Sequence, residues 1–400
     1  MTSWEERDHE FIMPTYTKQK LPIAIARGEG NSLYDTEGHQ YLDLFTGLAV
    51  NTLGHSHPKI IATLKDQAEK FLHISNVYYN PPAIRLAEKL SKATNNGKVF
   101  FTNSGTEATE AFVKWLHKYE KEATSGQSGI VVLRQSFHGR TLGALKLTRQ
   151  PHVYQDFPYS DIPVYEVEPE NLEQLEAALE NKPAALLMEP VLGSAGILPL
   201  SQFFMETAYQ LCRENDVLFC LDEIQTGMGR TGELFAYQHY HIDPDAILFA
   251  KGIGGGLPLG GMIVADRFSG LFQTGDHGTT FAPSPMAAAL GNTVLEVLTD
   301  DGVMQTAAEQ ATYLWDALEH LQQTSAVVEE VRGKGLMLGV VLNGDADAIR
   351  EVRETMLQKG FLIDVTQKTI IRLLPPLTIT REDIDTFVQA FAETIEHVVQ

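Results

Sequence analysis

Two cysteines in 400 residues leave no disulfide framework to hold this chain together, and neither has metal-ligand spacing around it. Cys212 is expected at the end of a helix and Cys220 inside a strand, where reduced thiols behave as small apolar residues. Basic charge is also short: 31 Lys and Arg face 52 Asp and Glu, a formal net charge of −21. Such a balance disfavours nucleic acid and other polyanions, so any phosphate bound here must be gripped by a local device. Long apolar runs are missing too, and no stretch approaches the roughly 20 residues of a membrane span. Met1 to Glu10 carries acidic residues where a secretory signal needs a basic start and an apolar core. A cytoplasmic protein without membrane partners is expected. Internal repeats and low-complexity tracts are absent.

What is present is an alternation. From about His57 to Ala265, helical periodicity alternates with the short apolar runs Val99–Phe101, Ile130–Leu133, Ala185–Met188, Val217–Leu221, Ala246–Phe249 and Met262–Val264. Strands of that length separated by helices predict an α/β domain, its mainly parallel sheet covered on both faces. After Pro285 the pattern changes to longer amphipathic helices near 286–299, 303–324, 345–359 and 380–398, interleaved with strands at Leu336–Val341 and Thr369–Leu373. The expected organisation is a large domain over 51–285 and a smaller α+β domain over 286–400, joined by the opening segment 1–50.

Chemistry-bearing residues fall where strands end. Thr102-Asn-Ser-Gly-Thr-Glu107 closes a strand and opens a helix, so Gly105 and Thr106 would present backbone N–H groups and the positive helix end to an anion such as phosphate. Ser104 with Glu107 also reads as a capping box, which needs no ligand. The apolar run ending at Leu221 delivers Asp222 and Gln225 to its carboxyl end, the edge where open α/β sheets bind ligands. A carboxylate there would keep a pyridine nitrogen protonated; alternatively, Asp222 caps the following turn. One strand later, Ala250-Lys-Gly-Ile-Gly-Gly-Gly256 sets a lysine before a glycine run. An amine in a partly desolvated pocket is suited to forming a Schiff base. These glycines are not a P-loop, which would need Gly-Lys-Ser/Thr after them. Nor are they a dinucleotide fingerprint, because Leu257-Pro-Leu-Gly-Gly261 leads into a strand rather than a helix. Ser136-Phe-His-Gly-Arg-Thr141 offers Phe137 as a face for a planar ring and Arg140 as a partner for a carboxylate. Either residue alone is more often packing or a surface ion pair. Arg372, embedded in Ile371-Arg-Leu-Leu-Pro-Pro376, needs an anionic partner if buried.

Taken in order, Asn103–Ala108, Phe137–Thr141, Leu221–Gly232, Ala250–Gly260 and His277–Phe281 resemble the successive signatures of class III pyridoxal-phosphate aminotransferases. Tyr34–Asp43, Gly47–Pro58 and Ile371–Pro376 are similar to the acetylornithine aminotransferase branch. The resemblance implies a fold type I architecture, pyridoxal 5'-phosphate as cofactor, and a homodimer with active sites at the subunit interface. It implies that Gly105 and Thr106 bind the phosphate together with Thr280 of the partner subunit, that Phe137 stacks on the ring, that Asp222 pairs with the pyridine nitrogen and that Gln225 bonds the ring hydroxyl. Lys251 would carry the cofactor as a Schiff base and shuttle the proton. Arg140 would hold the α-carboxylate of N-acetylornithine and Arg372 that of glutamate, with Thr279 also on the substrate side. The implied reaction moves the terminal amine of N-acetylornithine to 2-oxoglutarate, giving N-acetylglutamate semialdehyde and glutamate, a step of arginine synthesis. Ornithine, 4-aminobutyrate and succinyl-diaminopimelate remain alternative donors on the same scaffold, and a catalytically silent cofactor-binding regulator is the rival from another class.

Two stretches depart from the family pattern. Leu192-Gly193-Ser194 stands where the family usually has Gln-Gly-Glu. The missing carboxylate is the one expected to mask Arg372, so Arg372 is expected to stay open to carboxylates throughout, relaxing discrimination against α-amino binding. Phe281-Ala-Pro-Ser-Pro285 replaces a glycine-rich version of that loop, and Pro283 should stiffen the segment carrying Thr279 and Thr280.

Overall fold

The computed structural model describes residues 3–16, 20–94, 97–122, 126–157 and 162–399. Its strands, in chain order, are β1 (Ile25–Glu29), β2 (Ser32–Asp35), β3 (Gln40–Asp43), β4 (Lys98–Thr102), β5 (Ile130–Leu133), β6 (Val164–Val167) and β7 (Ala185–Met188). The short pair β8 (Val191–Leu192) and β9 (Leu198–Pro199) follows, then β10 (Leu218–Asp222), β11 (Ala246–Phe249) and β12 (Gly260–Val264). The chain finishes with β13 (Val328–Lys334), β14 (Met337–Leu342), β15 (Phe361–Leu362), β16 (Asp364–Thr366) and β17 (Ile370–Leu373).

Seven strands form the large sheet in the order β4-β12-β11-β10-β7-β5-β6. Only β12 runs against the rest, since it pairs antiparallel with both neighbours while the other pairings are parallel. Every residue of β5, β7, β10, β11 and β12 is buried. These strands read as unbroken apolar runs because helices cover both faces and no position turns to water. Among the covering helices, Gln202–Glu214 is capped by Ser201, whose side chain accepts from Phe204 N–H. Pro285–Thr299 starts with proline at its first turn and buries most of its length. The edge strand β6 escapes the sequence reading, since Glu166 interrupts its apolar run and the strand is only partly buried.

A second, four-stranded sheet runs antiparallel throughout in the order β13-β14-β17-β16. Helices Val303–Thr324, Ala346–Gln358 and Arg381–Val398 lie within a residue or so of the expected limits. Thr380 and Asp383 make a reciprocal capping box at the start of the last one. A further sheet, β1-β2-β3-β15, joins the opening segment to the late chain through the parallel pairing of Leu42 with Phe361. Cys212 and Cys220 are free and buried, and burial raises both thiol pKa values. Among the described residues no helix is long and apolar enough to cross a membrane, and no His, Cys, Asp or Glu group is arranged to hold a metal.

Candidate active site

Because β4, β5, β7, β10 and β11 run the same way, the segments that follow them collect along one edge of the sheet. That edge brings together Gly105 and Thr106 after β4, Phe137 and Arg140 after β5, Glu189 after β7, Asp222 at the end of β10 and Lys251 after β11. Parallel topology thereby gathers groups that lie far apart in sequence.

Asp222 is 3% exposed, and its Oδ2 lies 2.7 Å from Nδ1 of His138, also buried, while Oδ1 accepts from the Ile224 N–H at 3.1 Å. His138 Nε2 is buried without a partner. Glu189 accepts from the N–H groups of Phe137 at 2.9 Å and Gly193 at 3.3 Å. Burial and the nearby Asp222 push its pKa up to about 7, against the opposing pull of His138 and those two amides. Next in sequence, Glu223 fixes the following loop by accepting from Thr226 Oγ1 at 2.5 Å and from the N–H groups of Ala236 and Tyr237 at 2.8 and 2.7 Å. Asp222 thus caps the turn that follows it through Ile224, Glu223 anchors the loop beyond, and the second Asp222 oxygen is left to His138.

Lys251 sits at φ +52°, in the left-handed region that costs a non-glycine residue roughly 1 kcal/mol. The surrounding protein desolvates its amine and lowers the pKa to about 8; Arg372 adds to the lowering, while Asp222 and Glu189 oppose it. A Cβ at Gly252, next to the lysine, would run into Thr52 Oγ1, so the buried Thr52 would have to move to admit any side chain there.

At the start of the helix Gly105–Glu122, the Glu107 N–H donates to Ser104 Oγ at 3.3 Å, as a capping box requires. Its carboxylate, however, accepts from the Asn103 N–H at 2.6 Å rather than from Ser104. Gly105 and Thr106 occupy the first turn, whose N–H groups have no intrahelical acceptor. Thr106 Oγ1 accepts from the N–H groups of Arg140 at 3.1 Å and Thr141 at 3.3 Å, tying this helix end to the loop after β5. Phe137 is half-buried, and the exposed Arg140 guanidinium lies 5.4 Å from its ring centre. Gln225 is half-buried and faces Gly193, where any Cβ would strike its Oε1. Thr279 Oγ1 accepts from Asn103 Nδ2 at 3.0 Å, and its carbonyl accepts from Asn76 Nδ2 at 3.0 Å. Thr280 is exposed on the protomer.

Arg372 corrects an expectation. Its guanidinium does not stand open: Nε and Nη2 donate to Asp364 Oδ2 at 2.9 and 2.7 Å, and Nη1 reaches the Gly193 carbonyl at 3.5 Å. The need for an anionic partner was legible, but the partner was not. His138, Glu189 and Asp364 were all missed as site residues. His138 lies within a motif already singled out, and Glu189 follows an apolar strand, a position that could have flagged it; Asp364 carries no such signal.

The chemistry of this donor set fits pyridoxal phosphate: a desolvated amine, a buried carboxylate able to face a ring nitrogen, and a helix end with spare N–H donors in reach of a hydroxyl. A fold type I architecture with these groups along the carboxyl edge defines a pyridoxal-phosphate-dependent transaminase. Residues 14–395 match the family aminotransferase class III, and the chain belongs to it. It is similar to the acetylornithine aminotransferase of Caldanaerobacter subterraneus subsp. tengcongensis, 39% identical over 98% of each chain, and to that of Methanocaldococcus jannaschii, 38% identical over 99% of this chain and 98% of the other. Among solved structures, ornithine aminotransferase from Toxoplasma gondii superimposes with a TM-score of 0.92 at 27% identity, covering 98% of this chain and 94% of that one. Acetylornithine aminotransferase from Elizabethkingia anophelis gives 0.85 at 29%, covering 98% of both.

Proposed function

We propose that this enzyme transfers the terminal amine of N-acetylornithine to 2-oxoglutarate, giving N-acetylglutamate semialdehyde and glutamate for arginine synthesis, in the cytoplasm. What supports the reading is Lys251, its amine desolvated and its pKa lowered, on the sheet edge where β10 ends in Asp222. The names of the relatives at 38–39% identity supply the donor. Gly105 and Thr106 would hold the phosphate of pyridoxal phosphate, Phe137 its ring face, Gln225 its hydroxyl and Lys251 its aldehyde carbon. When bound, the cofactor supplies the electron sink that lets the amine-bearing carbon lose its proton.

The protein's own groups do the rest. Lys251 Nζ would take the proton from the substrate carbon, a task suited to an amine whose pKa is lowered to about 8. Asp222 would face the ring nitrogen, and His138 orients that carboxylate. Arg140 and Arg372 would read carboxylates at two distances from the reacting carbon, with Thr279 also on the substrate side, which lets one site accept two unlike substrates. Replacing Arg140 by alanine is expected to raise KM for N-acetylornithine by about 10- to 100-fold, with a smaller effect on kcat. Steady-state kinetics with each substrate varied in turn checks this.

Residues 51–285 form the cofactor-binding domain in this reading, and 286–400 with 1–50 the smaller one; the β3–β15 pairing supports the grouping. A homodimer completes the site, with Thr280 of the partner subunit on the phosphate. Supporting it, Val77, Tyr78, Tyr79 and Phe281 are 66–91% exposed, and Asn76 ties the first three to the Thr279 carbonyl, so large apolar side chains stand in water beside the Thr279–Thr280 segment. Sedimentation should give twice the chain mass, and Tyr79→Asp should shift it toward the monomer; a monomeric, fully active wild type would refute the shared site. The test of the function is the visible spectrum of the holoenzyme on adding N-acetylornithine, ornithine, 4-aminobutyrate or glutamate. Fastest conversion by N-acetylornithine among the ω-amines supports the reading, while a response confined to another ω-amine keeps the transaminase and discards this donor.

A further inference from the structure

Arg372 and Asp364 face each other across two neighbouring antiparallel strands, β17 and β16, as direct register partners. Both Arg372 donors on this edge, Nε at 2.9 Å and Nη2 at 2.7 Å, converge on a single oxygen, Asp364 Oδ2. That edge is the one a carboxylate would use for a two-oxygen, two-donor fork, so Asp364 occupies it in the weaker single-oxygen manner. The loop on the other side brings only backbone oxygen: the Gly193 carbonyl faces Nη1, and Gln367 Nε2 pins the Ser194 carbonyl at 2.7 Å. Among the described residues Asp364 is the carboxylate paired with this guanidinium.

The pair is also built to come apart. The Asp364 side chain is 23% exposed and that of Arg372 11%, so water can take up the aspartate if another anion displaces it. Its strand holds the backbone, leaving two side-chain torsions to make the exchange. Exchanging this largely buried pair for a better one with a substrate carboxylate avoids the penalty of leaving a bare guanidinium beside Lys251.

We propose that Asp364 is an internal competitor for the substrate α-carboxylate at Arg372, holding the guanidinium while the ω-amine donor is bound and yielding it to the dicarboxylate. It thereby sets the balance between the two half-reactions. This rests on the function proposed above, with Arg372 as the dicarboxylate subsite. Ser194, where the family pattern has a glutamate, leaves this task to the facing strand.

The experiment uses holoenzyme carrying Asp364→Asn, Asp364→Ser or Asp364→Glu, so that a folding defect in one variant does not decide the question. Half-reactions with glutamate and with N-acetylornithine are followed separately, and binding of the unreactive dicarboxylate glutarate is measured by calorimetry. In the Asn and Ser variants, the half-saturating glutamate concentration and the glutarate Kd should fall about tenfold or more. The ratio of specificity constants, glutamate over N-acetylornithine, should rise, whereas Asp364→Glu should stay within a few-fold of wild type. Unchanged or weaker dicarboxylate binding in the neutral variants overturns the proposal and makes Asp364 a fixed support that orients Arg372. A wild type that neither turns over glutamate nor binds glutarate overturns the functional reading itself, and the competitor role with it.

Discussion

Lys251→Ala should lower turnover by at least about a thousandfold and abolish covalent retention of pyridoxal phosphate, read as loss of the visible absorbance of the attached cofactor after gel filtration. The residue combines a left-handed backbone with an amine whose pKa burial lowers to about 8, and both follow from its position between β11 and the glycine run. The sign of the pKa shift gives a second readout. Desolvation disfavours the ammonium form, so the neutral amine that attacks an aldehyde becomes abundant from about pH 8 instead of above the ordinary lysine value of 10.5. The rate of cofactor loading onto stripped enzyme should rise with pH and level off just above 8. A midpoint near 10.5 would mean that the amine is solvated.

Asp222→Asn should cost about 100- to 1,000-fold in kcat with KM changed only a few-fold, because it removes a fixed charge whose value lies in the transition state. The isosteric amide keeps the packing around β10, so the melting temperature should change little compared with the loss in rate. The comparison variant is His138→Asn, which takes away the 2.7 Å contact to Asp222 Oδ2 while leaving the carboxylate in place. It should cost less than Asp222→Asn and should shift the pH profile of kcat. A loss under tenfold for Asp222→Asn would show that the carboxylate does not face the reacting system.

The large sheet was readable because its buried strands are short apolar runs. Ile130–Leu133, Ala185–Met188 and Ala246–Phe249 agree with the expected limits residue for residue. Where burial is partial the signal fades: β6 holds Glu166 at an edge, and β1 to β3 mix polar and apolar residues on small, half-covered ribbons. The turn between β16 and β17 was also hidden, since Gln367 and Lys368 take positive φ where glycine or asparagine would have announced it.

By itself the sequence determined which groups end each strand, because a residue's place after an apolar run is a matter of covalent neighbourhood. Gly105, Phe137, Arg140, Asp222 and Lys251 were legible on that basis. Only the tertiary structure decided who stands beside whom. His138 meets Asp222 across 84 residues, and the Phe137 amide meets Glu189 across 52, because parallel strands bring distant segments to one edge. Asp364 meets Arg372 only 8 residues away, yet the contact depends on the register of a hairpin, and slipping that register by one would send the carboxylate to the opposite face.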